Sequence, residues 1–92
     1  MPQLYNFGNY VIYFWVNEGI PTEPVHVHVA ERRPIPDGTK LWITKSGKTL
    51  VCHNKSRISD NRIRQLCRFI EANSAEIVRR WEREFGEIRY YC

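Results

Sequence analysis

Residues 25–29, Val-His-Val-His-Val, alternate apolar and titratable side chains without a break. Successive side chains of a β-strand point to opposite faces of its sheet, so this alternation predicts a strand with two chemically different faces. Val25, Val27 and Val29 share one face, while His26 and His28 share the other. Because the apolar valines favour burial, we expect the protein core to lie on the valine side of the sheet.

The rest of the N-terminal half has the composition of strands joined by turns. Residues 4–16 are rich in aromatic and β-branched side chains, and the Gly-Asn pair at 8–9 suits a type II′ hairpin turn. Residues 40–53 have the same character around a Ser-Gly pair, which predicts a second hairpin. Residues 31–38 contain two prolines and an Asp-Gly pair, so we expect a loop there.

Two apolar stripes with helical spacing follow, and they predict two amphipathic helices. The first stripe consists of Ile63, Leu66, Cys67 and Ile70, and the second of Ile77, Val78, Trp81 and Phe85. Ser59 is a suitable N-cap for the first helix, and Gly86 is a suitable stop for the second. Asn73 with Glu76 resembles a capping pair, which predicts a break between the helices near residue 73.

These elements predict an α+β fold, in which an antiparallel sheet of four or five strands is followed by two C-terminal helices packed on one face. The 92 residues suffice for a single domain. It comprises a strand-rich part over 1–54, a helical part over 59–86 and a short tail over 87–92. The tail is apolar enough either to add an edge strand or to pack against the domain.

Charge and cysteine content narrow the class of protein. The formal net charge of +4 is compatible with a nucleic-acid or acidic protein partner. No apolar run approaches the roughly 20 residues that span a bilayer, and the N-terminus lacks the pattern of a signal peptide. Cys52, Cys67 and Cys92 have no Cys-x-x-Cys spacing, which favours reduced thiols. We therefore expect a cytoplasmic protein without membrane association.

Alternation in the neighbouring strands places aromatic and cationic side chains beside the two histidines. We call this set the histidine face: Tyr13, Trp15, His26, His28, Lys40, Trp42 and His53. In the last strand, alternation assigns Leu50 and Cys52 to the core side. An uncovered face of this kind is typical of a binding site. The alternatives are that it packs against a twin subunit, or that the 31–39 loop and the tail cover it.

One hypothesis for this face is metal-free phosphodiester chemistry. His26 and His28 would transfer protons, because histidine titrates nearest to neutral pH. Lys40 and Arg57 would hold a phosphate and offset its charge, and Glu18 would orient one histidine.

Two further hypotheses need no catalysis. Trp15 and Trp42, flanked by lysines and arginines, would suit single-stranded RNA. A His-x-His metal site is the other, but zinc needs three or four ligands. Cys52 and His53 are adjacent and face opposite ways, so only one of them could join the histidines, with a carboxylate from Glu18 or Glu23. No specific metal or other cofactor is expected.

Several segments together resemble a known family. They are "NEG" before "EPVHVHV", then "KLWI", "HNKSRIS" and "RRWEREFGEIRYY". The chain is similar over nearly its whole length to the small bacterial proteins catalogued as domain of unknown function 4160. Residues that recur in that family fall here at Glu18, His26, His28, Lys40, Trp42, Asn54, Arg57 and Trp81.

The resemblance implies a function only in outline. Members of the family are often encoded beside a small antitoxin-like partner, which implies a toxin–antitoxin type module. Under this hypothesis the histidine face binds or cleaves RNA, with Asn54 among the RNA-contacting residues. The alternative is a non-enzymatic module that uses the same face to bind a protein partner or a second copy of itself.

Overall fold

A computed structural model describes residues 3–16 and 23–92. The elements in chain order are β1 (Gln3–Phe7), β2 (Tyr10–Tyr13), β3 (His26–Glu31), β4 (Thr39–Ile43), β5 (Thr49–His53), α1 (Asp60–Ala72) and α2 (Ser74–Phe85). The five strands form one sheet in the order β1-β2-β3-β4-β5, and every neighbouring pair is antiparallel. The predicted α+β fold is therefore confirmed, with five strands before two helices.

The core lies between the valine side of the sheet and the two helices. Val25, Val27 and Val29 are fully buried in one cluster with residues from both helices. The helix residues buried in this cluster are Leu66, Ile70, Ile77 and Trp81. Both predicted apolar stripes and the parity of the 25–29 segment are thus confirmed.

The helix ends follow the capping chemistry with one exception. Ser59 caps α1, since its hydroxyl accepts the Arg62 N–H at 3.3 Å. Gly86 ends α2 with a left-handed φ of 79°, a conformation that glycine adopts at little cost. The break at Asn73 is confirmed, but the capping pair is wrong. The Asn73 side chain makes no cap hydrogen bond to α2 and donates to the Phe69 carbonyl at 2.8 Å instead.

The predicted parity of β5 is wrong. Leu50 lies opposite Trp42, whereas Val51 lies opposite Leu41, so Leu50 belongs to the histidine face and Val51 to the helix side. The pairing then shifts by one residue, which places His53 opposite Lys40 and leaves Cys52 exposed rather than buried. A β-bulge of this kind adds a residue to one strand and reverses the alternation beyond it.

The tail packs against the domain and forms no strand over residues 87–92. The Val25 N–H donates to the Arg89 carbonyl at 2.8 Å, and the Lys45 N–H donates to the Cys92 carbonyl at 3.1 Å. These bonds carry the tail from the helices past β3 to the β4–β5 hairpin. Tyr91 consequently lies on the histidine face, against Trp42.

Candidate functional site

Strand register assembles the histidine face in two rows. Tyr13, His28, Lys40 and His53 lie side by side across β2 to β5, and His26, Trp42 and Leu50 form the next row. Trp15 follows β2 and packs edge-on against Tyr13. The structure thus brings together every predicted member of the face, and it adds Leu50.

His28 is enclosed in the first row and is 6% exposed. Its ring stacks on Tyr13, with centroids 5.6 Å apart and planes at 24°. Its Nδ1 lies 3.2 Å from the Gly38 carbonyl oxygen. A carbonyl only accepts hydrogen bonds, so Nδ1 carries the hydrogen and donates it. This bond fixes the ring against the loop that precedes β4.

His26 is fully buried in the second row. Its Nδ1 donates to the Pro24 carbonyl at 3.0 Å, by the same reasoning. Three aromatic rings surround it: His28 at 5.0 Å, Trp42 at 5.7 Å and Trp81 of α2 at 5.0 Å between centroids. His26 therefore packs as an aromatic residue in a cluster of rings from β3, β4 and α2.

The loop before β4 and the tail cover part of this face, which is one of the alternatives that the sequence left open. The Tyr13 hydroxyl donates to the Ile35 carbonyl at 2.7 Å and accepts the Ile35 N–H at 3.1 Å. At the other end, Tyr91 stacks on Trp42 with centroids 4.9 Å apart. His26, His28 and Tyr13 are therefore buried on this face.

Lys40 occupies a half-buried position beside Trp42. Its Nζ lies 2.8 Å from Glu23 Oε1 and 4.5 Å from the centre of the Trp42 ring, and its side chain is 16% exposed. Its neighbour His53 has a pKa below the usual value for histidine. Desolvation is the main cause, and the charges of Lys55 and Lys40 act in the same direction against an opposing effect of Asp37.

The accessible part of this region is aromatic and basic. Tyr91 is 60% exposed although it stacks on Trp42. Lys45, Lys48 and Leu50 line a shallow depression beside the tail at Cys92. We call this region the Tyr91 surface, and it comprises Tyr91, Trp42, Lys40, Lys45 and Lys48. It can offer a ring for stacking and cations for an anionic ligand.

Two residues predicted to contact RNA lie elsewhere. Arg57, with a left-handed φ of 55°, lines a separate depression with Glu31 and Arg62, to which Lys40 does not contribute. The Asn54 amide bonds within the protein: its Oδ1 accepts from Thr39 Oγ1 at 2.7 Å, and its Nδ2 donates to the Ile58 carbonyl at 2.7 Å. Asn54 thus holds the turn between β5 and α1.

Other predicted ligands do not converge. Glu18 lies outside the described residues. Within 3–16 and 23–92, no group of three or more His, Cys, Asp or Glu side chains is arranged to hold a metal ion. Glu23 pairs with Lys40 rather than with a histidine, and Cys52, Cys67 and Cys92 are free thiols.

Sequence reasoning missed Tyr91 and Leu50 as members of this region. Backbone hydrogen bonds of the tail position Tyr91 against Trp42, and sequence periodicity does not predict such bonds. Leu50 was assigned to the core because alternation alone does not reveal the strand register. The apolar character of the tail was the one available signal for Tyr91.

Comparison with protein families identifies the class. The family model described as Domain of unknown function (DUF4160) matches residues 9–82, and the chain belongs to this family. The match spans all of the histidine face, including both histidines and Lys40. No curated protein and no solved structure matches the chain. In the part of the chain that the structure describes, no helix is long and apolar enough to cross a membrane.

Proposed function

We propose that this chain is a toxin–antitoxin type component that binds single-stranded RNA in the bacterial cytoplasm through the Tyr91 surface. The observation that carries the RNA part is the Trp42–Tyr91 stack, with its planes at 6°, Lys40 over the Trp42 ring, and Lys45 and Lys48 beside the tail at Cys92. The toxin–antitoxin part rests on the family resemblance described above.

Stacking supplies the first element of this proposal. Trp42 supports one face of Tyr91, and the exposure of Tyr91 leaves ring surface on which a base can stack. Stacking of a base on an aromatic side chain contributes about 1–3 kcal/mol and tolerates any sequence. Backbone hydrogen bonds at Arg89 and Cys92 hold the tail on both sides of Tyr91, so little ordering is required when the base arrives.

Lysine charge supplies the second element. Lys45 and Lys48 are exposed on the β4–β5 hairpin, next to the end of the tail. Their positive charges attract the phosphates of a strand whose base lies on Tyr91. Lys40 is less available because Glu23 already neutralises it. We therefore assign the phosphate contacts to Lys45 and Lys48 rather than to Lys40 and Arg57.

Burial of the histidines favours binding over cleavage. A general base must come within hydrogen-bond reach of the proton that it removes. His26 is fully buried and His28 nearly so, and each uses Nδ1 on a backbone carbonyl. RNA on the Tyr91 surface would not reach either ring without movement of the loop or the tail.

Fluorescence anisotropy with a labelled single-stranded RNA tests the binding proposal. Tyr91→Leu removes the ring and should weaken binding about tenfold, while Tyr91→Phe should retain it. Lys45→Ala and Lys48→Ala should each lower the slope of log affinity against log salt by about 1. Arg83→Ala, in the last turn of α2, is the matched charge control. Equal affinity of wild type and Tyr91→Leu would refute the proposed site.

Growth on expression in bacteria tests the toxin–antitoxin part. Wild type should slow growth, Tyr91→Leu should not, and His28→Asn should remain active. Asparagine can keep a donor for the Gly38 carbonyl but cannot transfer protons near neutral pH. Loss of both toxicity and RNA cleavage in a folded His28→Asn variant would instead support the nuclease hypothesis. Normal growth with the wild type would refute the toxin assignment.

A further inference from the structure

The outer edge of β5 carries a second exposed surface, which shares Lys45 and Lys48 with the Tyr91 surface. Within the described residues, β5 pairs with β4 alone, so its other side is a sheet edge. Leu50 is 41% exposed and Val51 is 46% exposed on this strand. An edge strand with exposed apolar side chains is a template for pairing with another chain.

Backbone geometry shows which groups this edge offers. The Thr49 N–H points away from β4, because it donates to Glu71 Oε2 of α1 at 3.0 Å, and Thr49 Oγ1 donates to the same oxygen at 2.8 Å. Alternate residues of a strand direct their backbone groups to the same side, so Val51 presents its N–H and C=O outward as well. The bulge beyond Val51 ends this regular stretch.

The opposite edge of the sheet differs in character. On β1, the exposed side chains are the polar Gln3 and Asn6, which hydrogen-bond to each other at 2.8 Å. The apolar Leu4 of that strand is buried. Exposed large apolar side chains therefore mark the β5 edge and not the β1 edge.

Charge indicates the chemistry of the occupant. Lys45 and Lys48 precede the β5 edge and Lys55 follows it, and all three are exposed. Residues 44–56 contain no aspartate or glutamate. A second copy would bring the same lysines together, whereas an acidic segment would neutralise them. The carboxylate of Glu71 already occupies part of this edge, which shows that an acid fits there.

We propose that the β5 edge binds an extended acidic segment of a protein partner, which adds a sixth strand to the sheet. Its backbone pairs with Val51, its apolar side chains cover Leu50 and Val51, and its flanking carboxylates meet the lysines. The segment displaces Glu71 from the Thr49 N–H. This mode of recognition combines backbone hydrogen bonds for affinity with side-chain contacts for specificity.

Isothermal titration calorimetry with synthetic peptides tests this proposal. The first probe is a capped peptide of alternating valine and threonine with two glutamates at each end. The second has the same sequence with methylated central backbone nitrogens, so it keeps the charge but cannot donate to a strand. The first should bind, and the second should bind at least about tenfold more weakly.

Two pairs of variants locate the binding site. Val51→Ser removes the apolar contact without adding a charge and should weaken binding of the first peptide several-fold, whereas Asn6→Ser, on the β1 edge, should leave it unchanged. Glu71→Gln keeps an oxygen acceptor for Thr49 but removes the competing charge, so it should tighten binding several-fold. Circular dichroism and urea unfolding establish that each variant is folded.

Each of the following results would overturn the proposal. Equal binding of the two peptides, or of Val51→Ser and wild type, would show that charge attraction alone accounts for the binding. Absence of binding by the first peptide to the wild type would exclude an acidic strand. A concentration-dependent dimer that Val51→Ser abolishes would show that a second copy occupies the edge. Loss of RNA affinity in Val51→Ser, without peptide binding to the wild type, would show that RNA occupies the edge.

Discussion

Tyr91 of the tail lies flat on Trp42 of β4, with ring centroids 4.9 Å apart and planes at 6°. This contact joins residues 49 positions apart in the chain, and it closes one end of the histidine face. Because Trp42 also contacts His26 and Lys40, the stack connects the tail to the buried histidines as well as to the exposed surface.

The Tyr91–Trp42 stack should contribute measurably to stability. We expect a coupling free energy of about 1 kcal/mol in a double-mutant cycle of Tyr91→Leu and Trp42→Leu, because aromatic pairs add about that amount beyond area burial. Urea unfolding of the four proteins measures it. Tyr91→Phe should retain wild-type stability as the control. Additive effects of the two leucine substitutions would show that the stack does not stabilise the fold.

Gly38 allows the close approach of Tyr13 to the loop before β4. A Cβ at this position would lie 2.1 Å from Tyr13 Oη and 3.2 Å from the Val29 carbonyl oxygen. Gly38→Ala must therefore displace the hydroxyl that bonds Ile35, and we expect it to lower the free energy of unfolding by about 1–3 kcal/mol. Urea denaturation is the measurement.

A second substitution separates this clash from a general effect of alanine. Tyr13→Phe removes the clashing oxygen and its hydrogen bonds to Ile35, and it should cost about 1 kcal/mol alone. Combined with Gly38→Ala, the total loss should be smaller than the sum of the two single losses. If the two losses simply add, the destabilisation by Gly38→Ala arises from the loop backbone and not from a clash with the Tyr13 hydroxyl.

The sequence predicted the parts of the fold that depend on local periodicity. Alternation at 25–29 separated the valines from the histidines correctly, because a side-chain period of two admits only two assignments and the valines must be buried. The two helical stripes were predictable from the spacing of their apolar residues, and Gly86 from the left-handed conformation that often ends a helix. The composition of the histidine face followed from these assignments.

The sequence could not predict what covers that face or how β5 is registered. A bulge shifts pairing by one residue, so Cys52 is exposed although alternation placed it in the core. Burial of His28 depends on a carbonyl at Gly38 and on the position of Tyr13, which are contacts between distant segments. Local sequence patterns do not predict the path that a loop or a tail takes across the domain.

Asn54 should act on stability and not on RNA binding. Its Oδ1 also accepts the Ile58 N–H at 3.0 Å, in addition to the Thr39 hydroxyl. Asn54→Ala removes these bonds and leaves partly buried groups unsatisfied, so we expect a loss of about 2 kcal/mol in the free energy of unfolding. At a temperature where the variant is folded, its affinity for RNA should equal that of wild type. A loss of RNA affinity with unchanged stability would instead support the hypothesis that Asn54 contacts RNA.

His53 lies where a protonated ring is disfavoured. Desolvation and the nearby charges of Lys55 and Lys40 lower its pKa below the ordinary value of 6.5. Between the lowered pKa of the folded protein and that ordinary value, the unfolded chain binds more protons than the folded one. The contribution of His53 to stability is therefore complete above pH 6.5 and is lost as pH falls through the lowered pKa.

This linkage predicts a pH dependence that a single substitution should reduce. Between about pH 7.5 and about pH 5, the free energy of unfolding should fall less in His53→Gln than in wild type, because glutamine does not titrate. Nuclear magnetic resonance titration supplies a direct check: the His53 midpoint should lie below 6.5. Lys55→Gln should raise this midpoint, whereas Arg83→Gln, on α2, should not. Equal pH dependence of wild type and His53→Gln, with a midpoint unaffected by Lys55→Gln, would show that neither burial nor Lys55 acts on this ring.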